Sequence, residues 1–190
     1  SVRTGGYCKA RERLPVAMVT GLTHAVGGLV SARAKAGWRW RGRHVKLVDG
    51  TGISMPDTPE NQECYPQPSS QAEGVGFPLA RVVGVICLAT GAVIDAAIGP
   101  HAGKGSSELG LLRTLGAAFS AGDVMLADAF YCNYFVVATM IAAGVDVLFE
   151  QNGARNTDFR RGVSLGRRDH LVNWAKSKIR PDWMSAQQYA

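Results

Sequence analysis

Two aspartates are the residues of this 190-residue sequence that are best placed to do chemistry. Asp128 ends the short apolar run at residues 124–127, just before a turn and a helical pattern, and Asp49 ends the apolar run at residues 45–48. In open α/β sheets, ligands bind beyond the carboxyl ends of the strands. If the two runs form neighbouring parallel strands, both carboxylates lie at one edge of the sheet.

Two carboxylates at one edge repel each other, and a hard divalent cation relieves that repulsion. Oxygen ligands select Mg²⁺ or Mn²⁺, which leave coordination positions open for water and phosphate. Such a site activates a water or a 3′-hydroxyl in phosphodiester chemistry. Spacing alone leaves an alternative open, in which each aspartate is only a turn or cap residue.

Other polar residues offer less. Glu108 and Glu150 are the acids within reach of such an edge, and Glu108 is interpreted as an acid in the first turn of a helix. Tyr131 either orients Asp128 or a phosphate, or simply packs. Three histidines have no spacing typical of a metal site, and they are interpreted as surface or core residues: His44, His101 and His170.

The elements that would position these residues alternate in a regular way. Apolar periodicity predicts a helix within residues 8–37, a strand at 44–55, and a long proline-rich loop at 56–78. A hairpin follows, with strands at 82–88 and 92–98, and then a helix capped by Ser106. The final elements are a strand at 124–127, a helix at 134–143 and a strand at 145–149. This order predicts an α/β fold with a mixed sheet and helices on both faces.

Charge is distributed unevenly along the chain. Residues 1–46 carry ten Lys/Arg and one acid, residues 47–150 carry three and eleven, and residues 151–190 carry eight and three. Basic flanks around an acidic centre suit a protein that grips a phosphate backbone, although solvated surface is the alternative. The same two interpretations apply to the basic-aromatic linker at residues 38–43.

The longest apolar stretch contains Arg81 and Asp95, so no membrane span is predicted. The four cysteines are scattered along the chain, which suits a reducing cytoplasm.

Several blocks of the sequence resemble transposases of the insertion-sequence-4 family, and they occur in the family's order. The two signature blocks are residues 44–56, HVKLVDGTGISMP, and residues 122–134, GDVMLADAFYCNY. Residues 7–15, 166–176 and 180–184 also look like parts of that family. The resemblance implies an RNase H-like fold and a DDE active site, in which Asp49 and Asp128 match the first and second aspartates.

The resemblance also implies a division of the chain into three parts. Residues 1–43 would be an N-terminal helical and basic segment, and residues 44–150 a partial RNase H-like catalytic core. Residues 151–190 would begin an inserted β-rich subdomain, so that the chain ends inside it. The catalytic glutamate of the family belongs to a Y-(2)-R-(3)-E-(6)-K block, and this third carboxylate is not present in the sequence.

The function implied is that of a bacterial transposase fragment, cytoplasmic and associated with the nucleoid. The full enzyme would use Mg²⁺ (or Mn²⁺) to cut double-stranded DNA at transposon ends and join the 3′-hydroxyl to target DNA, as a homodimer. Arginines of both flanks would contact phosphates: Arg39, Arg41, Arg43, Arg160, Arg161, Arg167 and Arg168. A catalytically dead remnant that only binds DNA is the alternative. A phosphoacceptor role for Asp128 is disfavoured by the hairpin at 81–98.

Overall fold

The protein is described by a computed structural model that covers residues 5–72 and 74–190, so the first four residues of the predicted N-terminal segment lie outside the described residues. Its centre is a five-stranded sheet in the order β3-β2-β1-β4-β5. Strands β1 to β3 are antiparallel, whereas β1, β4 and β5 are parallel. The strands are β1 (Val45–Ser54), β2 (Leu79–Cys87), β3 (Val93–Pro100), β4 (Val124–Ala127) and β5 (Asp146–Phe149). The predicted α/β class and mixed sheet are confirmed.

Six α-helices accompany the strands among the described residues: α1 (Gly5–Glu12), α2 (Val16–Ala32), α3 (Pro59–Cys64), α4 (Glu108–Thr114), α5 (Tyr134–Ala142) and α6 (Ala186–Tyr189). Side-chain caps begin four of them, α3 to α6. In α4, Ser107 accepts from the backbone N–H of Gly110, and in α5, Asn133 accepts from that of Val136. None of the described helices is by itself long and apolar enough to cross a membrane, but α1 and α2, bent by 91°, pass that test as a pair.

The structure corrects three sequence-based boundaries. The helical region at 8–37 is divided at Pro15, whose ring and missing N–H interrupt a continuous helix. Ser107 rather than Ser106 caps α4, while the buried Ser106 hydroxyl donates to the carbonyl of Gly103. The strand predicted at 44–55 is confirmed as β1, but Asp49 lies within it and not at its end, because β2 pairs with β1 as far as Ser54.

One apolar core holds the sheet and two helices together. Its buried residues come from β1, β2, β4, α4 and α5, and include Val48, Val83, Met125, Leu112 and Met140. Helices α4 and α5 therefore cover the same face of the sheet. On the opposite face, Ile98 and Leu148 are more than half exposed, so these two helices do not provide the two-sided coverage that the sequence predicted.

A buried ion pair fixes β1 beside the chain that enters β4. The Lys46 Nζ lies 2.6 Å from the Asp123 Oδ2, and both side chains are at most one tenth exposed. The ammonium also donates to the carbonyl of Ala118 at 2.6 Å, and the carboxylate accepts from the N–H of Ser120 at 2.7 Å. Because both charges are paired and hydrogen-bonded, the pair sets the position of β4 relative to β1 without leaving a buried charge unmatched.

The C-terminal forty residues form a separate two-stranded antiparallel sheet, β6 (Val163–Gly166) with β7 (Asp169–Leu171). Beyond β7, residues 172–190 contain no further strand. Trp183 packs edge-on against Phe135 of α5, and the guanidinium of Arg113 stacks on it at 4.4 Å. This contact attaches the C-terminal segment to the core.

Candidate active site

Asp49 and Asp128 each follow, by two residues, the last paired residues of two neighbouring parallel strands. Strands β1 and β4 are parallel, and their last paired residues are Leu47 and Leu126. The same register carried two residues further along each strand places Asp49 opposite Asp128. Since side chains alternate along a strand, both carboxylates lie on the face that carries Leu47, away from the apolar core. The parallel register therefore directs both acids to the same edge of the sheet, and their joint role in a metal site stays a prediction.

Each carboxylate uses one oxygen to bind nearby backbone. The Asp49 Oδ1 accepts from the N–H of Gly50 at 2.8 Å, and the Asp128 Oδ1 accepts from the N–H of Phe130 at 2.9 Å. Asp128 thereby caps the short 3₁₀ turn Ala129–Tyr131. Both residues are exposed, and among the described residues neither Oδ2 has a hydrogen-bond partner. The cap role foreseen as an alternative is real for Asp128, but it leaves one oxygen free for a ligand.

Tyr131 lies under this edge and is fully buried. Its hydroxyl donates to the Glu108 Oε2 at 3.1 Å. Burial raises the pKa of Tyr131 above its usual value, and the negative charges of Glu108, Asp49 and Asp128 raise it further. The phenol therefore stays protonated and acts as a donor, and all three carboxylates lie close enough to affect it.

Glu108 also approaches the backbone of β1. A Cβ at Gly50 would overlap the Glu108 carboxylate, so a side chain there would force the end of Glu108 to move. On the other side of Glu108, the Nε of Arg81 lies 4.0 Å from its Oε1, and that guanidinium also donates to the carbonyl of Ser106 at 3.0 Å.

A complete metal cage is not formed. Across residues 5–72 and 74–190, no group of three or more His, Cys, Asp or Glu side chains is arranged to hold a metal ion. Glu108 contacts the face of β1 that carries Gly50, whereas Asp49 projects from the opposite face. Two exposed carboxylates nevertheless fit Mg²⁺, which proteins often bind through one or two carboxylates together with water and phosphate.

The histidines lie away from the carboxylate pair. The Nδ1 of His44 is buried without a hydrogen-bond partner at the start of β1, and burial followed by the charge of Arg39 lowers its pKa. His101 contacts Arg81 at 3.4 Å, and His170 packs against Phe159. Their interpretation as surface or core residues agrees with these contacts.

The arginines of the two flanks differ in their contacts. Arg43 binds inward: its Nε and Nη2 donate to the carbonyls of Gly122 and Asp123, and its Nη1 pairs with Asp146 at 2.6 Å. Arg160 and Arg161 pair with Asp158, and the Nε of Arg39 is buried with no hydrogen-bond partner among the described residues. Five of the seven arginines are exposed, namely Arg41, Arg160, Arg161, Arg167 and Arg168, and two of these occupy left-handed turn positions, Arg41 and Arg168. The DNA contacts of all seven stay a prediction.

Sequence reasoning missed the link between Glu108, Tyr131 and Arg81. The three residues belong to different elements, and no local pattern connects them. The detectable signals were the glycine directly after Asp49 and the tyrosine three residues after Asp128. Comparison of the chain with known protein families, with curated proteins and with solved structures found no match.

Proposed function

We propose that this chain is part of the catalytic region of a DNA transposase of the insertion-sequence-4 family, with an RNase H-like core. The observation that carries the proposal is the parallel pairing of β1 with β4 up to Leu47 and Leu126, two residues before Asp49 and Asp128. Its support from the fold is the order of strand, hairpin, helix, strand, helix and strand, which the resemblance implies.

The two carboxylates would hold Mg²⁺ or Mn²⁺. A cation bound there supplies a Lewis acid for phosphodiester chemistry. The protein side chains contribute the ligand oxygens, and the turn capped by Asp128 holds its free oxygen toward solvent. Exposed arginines, among them Arg41, Arg167 and Arg168, would bind phosphates of the DNA backbone and so place one phosphate at this edge of the sheet.

A second candidate is a DNA-binding fragment that does not cleave. It is favoured by the finding that the described residues contain no group of three metal-binding side chains. Both candidates require the basic flanks to bind duplex DNA. They differ in whether the two aspartates alone permit hydrolysis.

Nicking of supercoiled plasmid by the purified chain with Mn²⁺ separates the two candidates. Nicking that disappears in both Asp49→Asn and Asp128→Asn supports a cleaving enzyme. Salt-dependent DNA binding without nicking supports the binding fragment. Failure to bind either Mn²⁺ or duplex DNA contradicts the proposal as a whole.

A further inference from the structure

We propose that Glu108 and Tyr131 form a positioning pair that sets Asp128 in register with Asp49. This inference rests on the proposed function, because it assigns the pair a part in divalent-cation binding at the two aspartates. Neither residue of the pair is proposed to touch the cation.

Tyr131 belongs to the same short turn as Asp128. Asp128 and Tyr131 are the two ends of one short turn, and the Asp128 carboxylate closes that turn through the N–H of Phe130. The Tyr131 side chain is fully buried, so the turn cannot shift without moving its ring through the core. The position of Tyr131 therefore determines the position of Asp128.

The buried hydroxyl of Tyr131 is held by a hydrogen bond to Glu108. A buried tyrosine hydroxyl needs a hydrogen-bond partner, and here the partner is the Glu108 Oε2 at 3.1 Å. The Glu108 carboxylate lies against Gly50, the residue that follows Asp49 in β1. One hydrogen bond thus ties the turn that carries Asp128 to the backbone beside Asp49.

Glu108 is not placed to act as the third metal ligand beside Asp49 and Asp128. Glu108 approaches β1 from the face of Gly50, and Asp49 projects from the other face. The region around the two aspartates contains no cage of three described carboxylates. Glu108 is instead held between the Tyr131 hydroxyl and the guanidinium of Arg81. Its geometry is that of a support for the site.

The test is the affinity of the 190-residue chain for Mn²⁺, measured from the free-ion signal in electron paramagnetic resonance. Four variants are compared with the wild type: Tyr131→Phe, Glu108→Ala, Glu108→Gln and Asp49→Asn. Glutamine keeps an acceptor oxygen for the Tyr131 hydroxyl and removes only the charge. The thermal midpoint of each variant is recorded, so that a loss of affinity is read only from folded protein.

A positioning role for Glu108 and Tyr131 predicts a specific order of Mn²⁺ affinities among the variants. Tyr131→Phe and Glu108→Ala weaken Mn²⁺ binding about tenfold, as is usual when the support of a metal ligand is removed, and Glu108→Gln stays near the wild type. If Tyr131→Phe does not fold, the contrast between Glu108→Ala and Glu108→Gln decides alone. A purely structural role would lower the thermal midpoint without separating these two variants by affinity.

Three outcomes overturn the inference. Unchanged affinity in Tyr131→Phe and Glu108→Ala, with binding lost in Asp49→Asn, refutes the pair and leaves the proposed function standing. A loss in Glu108→Gln as large as in Asp49→Asn shows that Glu108 acts through its charge. Mn²⁺ binding that survives Asp49→Asn contradicts the proposed function, and the inference with it.

Discussion

Asp49 and Asp128 lie at the same edge of the sheet because β1 and β4 run parallel. The register of these two strands is fixed near their amino-terminal ends by an ion pair. The pairing of Leu47 with Leu126 leads directly to the two aspartates. Near the start of β1, Lys46 forms an ion pair with Asp123, the residue that precedes β4. The alignment of the candidate site therefore depends on contacts at both ends of one strand pair.

The ion pair of Lys46 and Asp123 should be among the strongest single contributions to stability. Lys46→Met removes the partner of a carboxylate that is 5% exposed, and we expect unfolding free energy to fall by about 3–5 kcal/mol. Urea unfolding followed by circular dichroism measures this change. Arg160→Met breaks the exposed pair with Asp158 and should leave the unfolding curve unchanged. Equal curves for the two variants would show that the buried pair is not a fixed contact.

Gly50→Ala should displace the end of the Glu108 side chain. The added methyl group overlaps the Glu108 carboxylate, and moving this flexible side chain away weakens its hydrogen bond with the buried Tyr131 hydroxyl, at a cost of about 1 kcal/mol. The matched control is Gly84→Ala in β2, opposite Asp49, where an added Cβ meets nothing within 4 Å. That control should be neutral or stabilising by up to about 1 kcal/mol. The comparison uses urea midpoints, and a Gly50→Ala protein as stable as the control would contradict the close approach of Glu108.

His44 should make stability depend on pH. Burial, followed by the charge of Arg39, lowers the pKa of His44 below its usual value of 6.5, so the folded protein binds a proton less readily than the unfolded chain. Its contribution to stability is present above about pH 6.5 and is lost as the pH falls toward the lowered folded-state pKa. Urea midpoints between pH 7.5 and 5 should decline less in His44→Gln than in the wild type. If the urea midpoints of the wild type and of His44→Gln declined equally, His44 would not be a cause of the pH dependence of stability.

Arg167 and Arg168 should contribute to DNA affinity through phosphates. Both are exposed at the turn between β6 and β7. The double change to alanine should weaken duplex binding and reduce the slope of log Kd against log salt concentration by about 2. Fluorescence anisotropy over a salt series measures that slope. Lys104→Ala, on an exposed loop of the acidic central part, is the control and should leave the slope unaltered.

The fold was predictable where local signals were strong. The apolar run of β4, the helix α5 and the strand β5 were predicted to within one residue, because turn residues such as Gly122 and Gly144 delimit them. The strand predicted at 44–55 is present as β1, and its part beyond Asp49 is held by pairing with β2 rather than by an apolar pattern of its own. For the same reason Asp49 lies within a strand and not at its end.

The candidate site was predictable only in its outline. The two aspartates could be found because each follows an apolar run, and the parallel strands bring them together. The hydrogen bond from Tyr131 to Glu108 joins residues of two elements, and its existence depends on how α4 is oriented over the sheet. Sequence periodicity places α4 on the sheet but does not fix that orientation.

The most direct test of the central claim is a Mn²⁺ titration of the wild-type chain and of Asp49→Asn and Asp128→Asn, followed by electron paramagnetic resonance. Asp169→Asn is the control, because Asp169 is also an exposed aspartate but lies in the separate sheet of β6 and β7. The account predicts a bound-ion fraction in the wild type and in the control that disappears in each of the other two variants. Retention of that fraction in either Asp49→Asn or Asp128→Asn would contradict it.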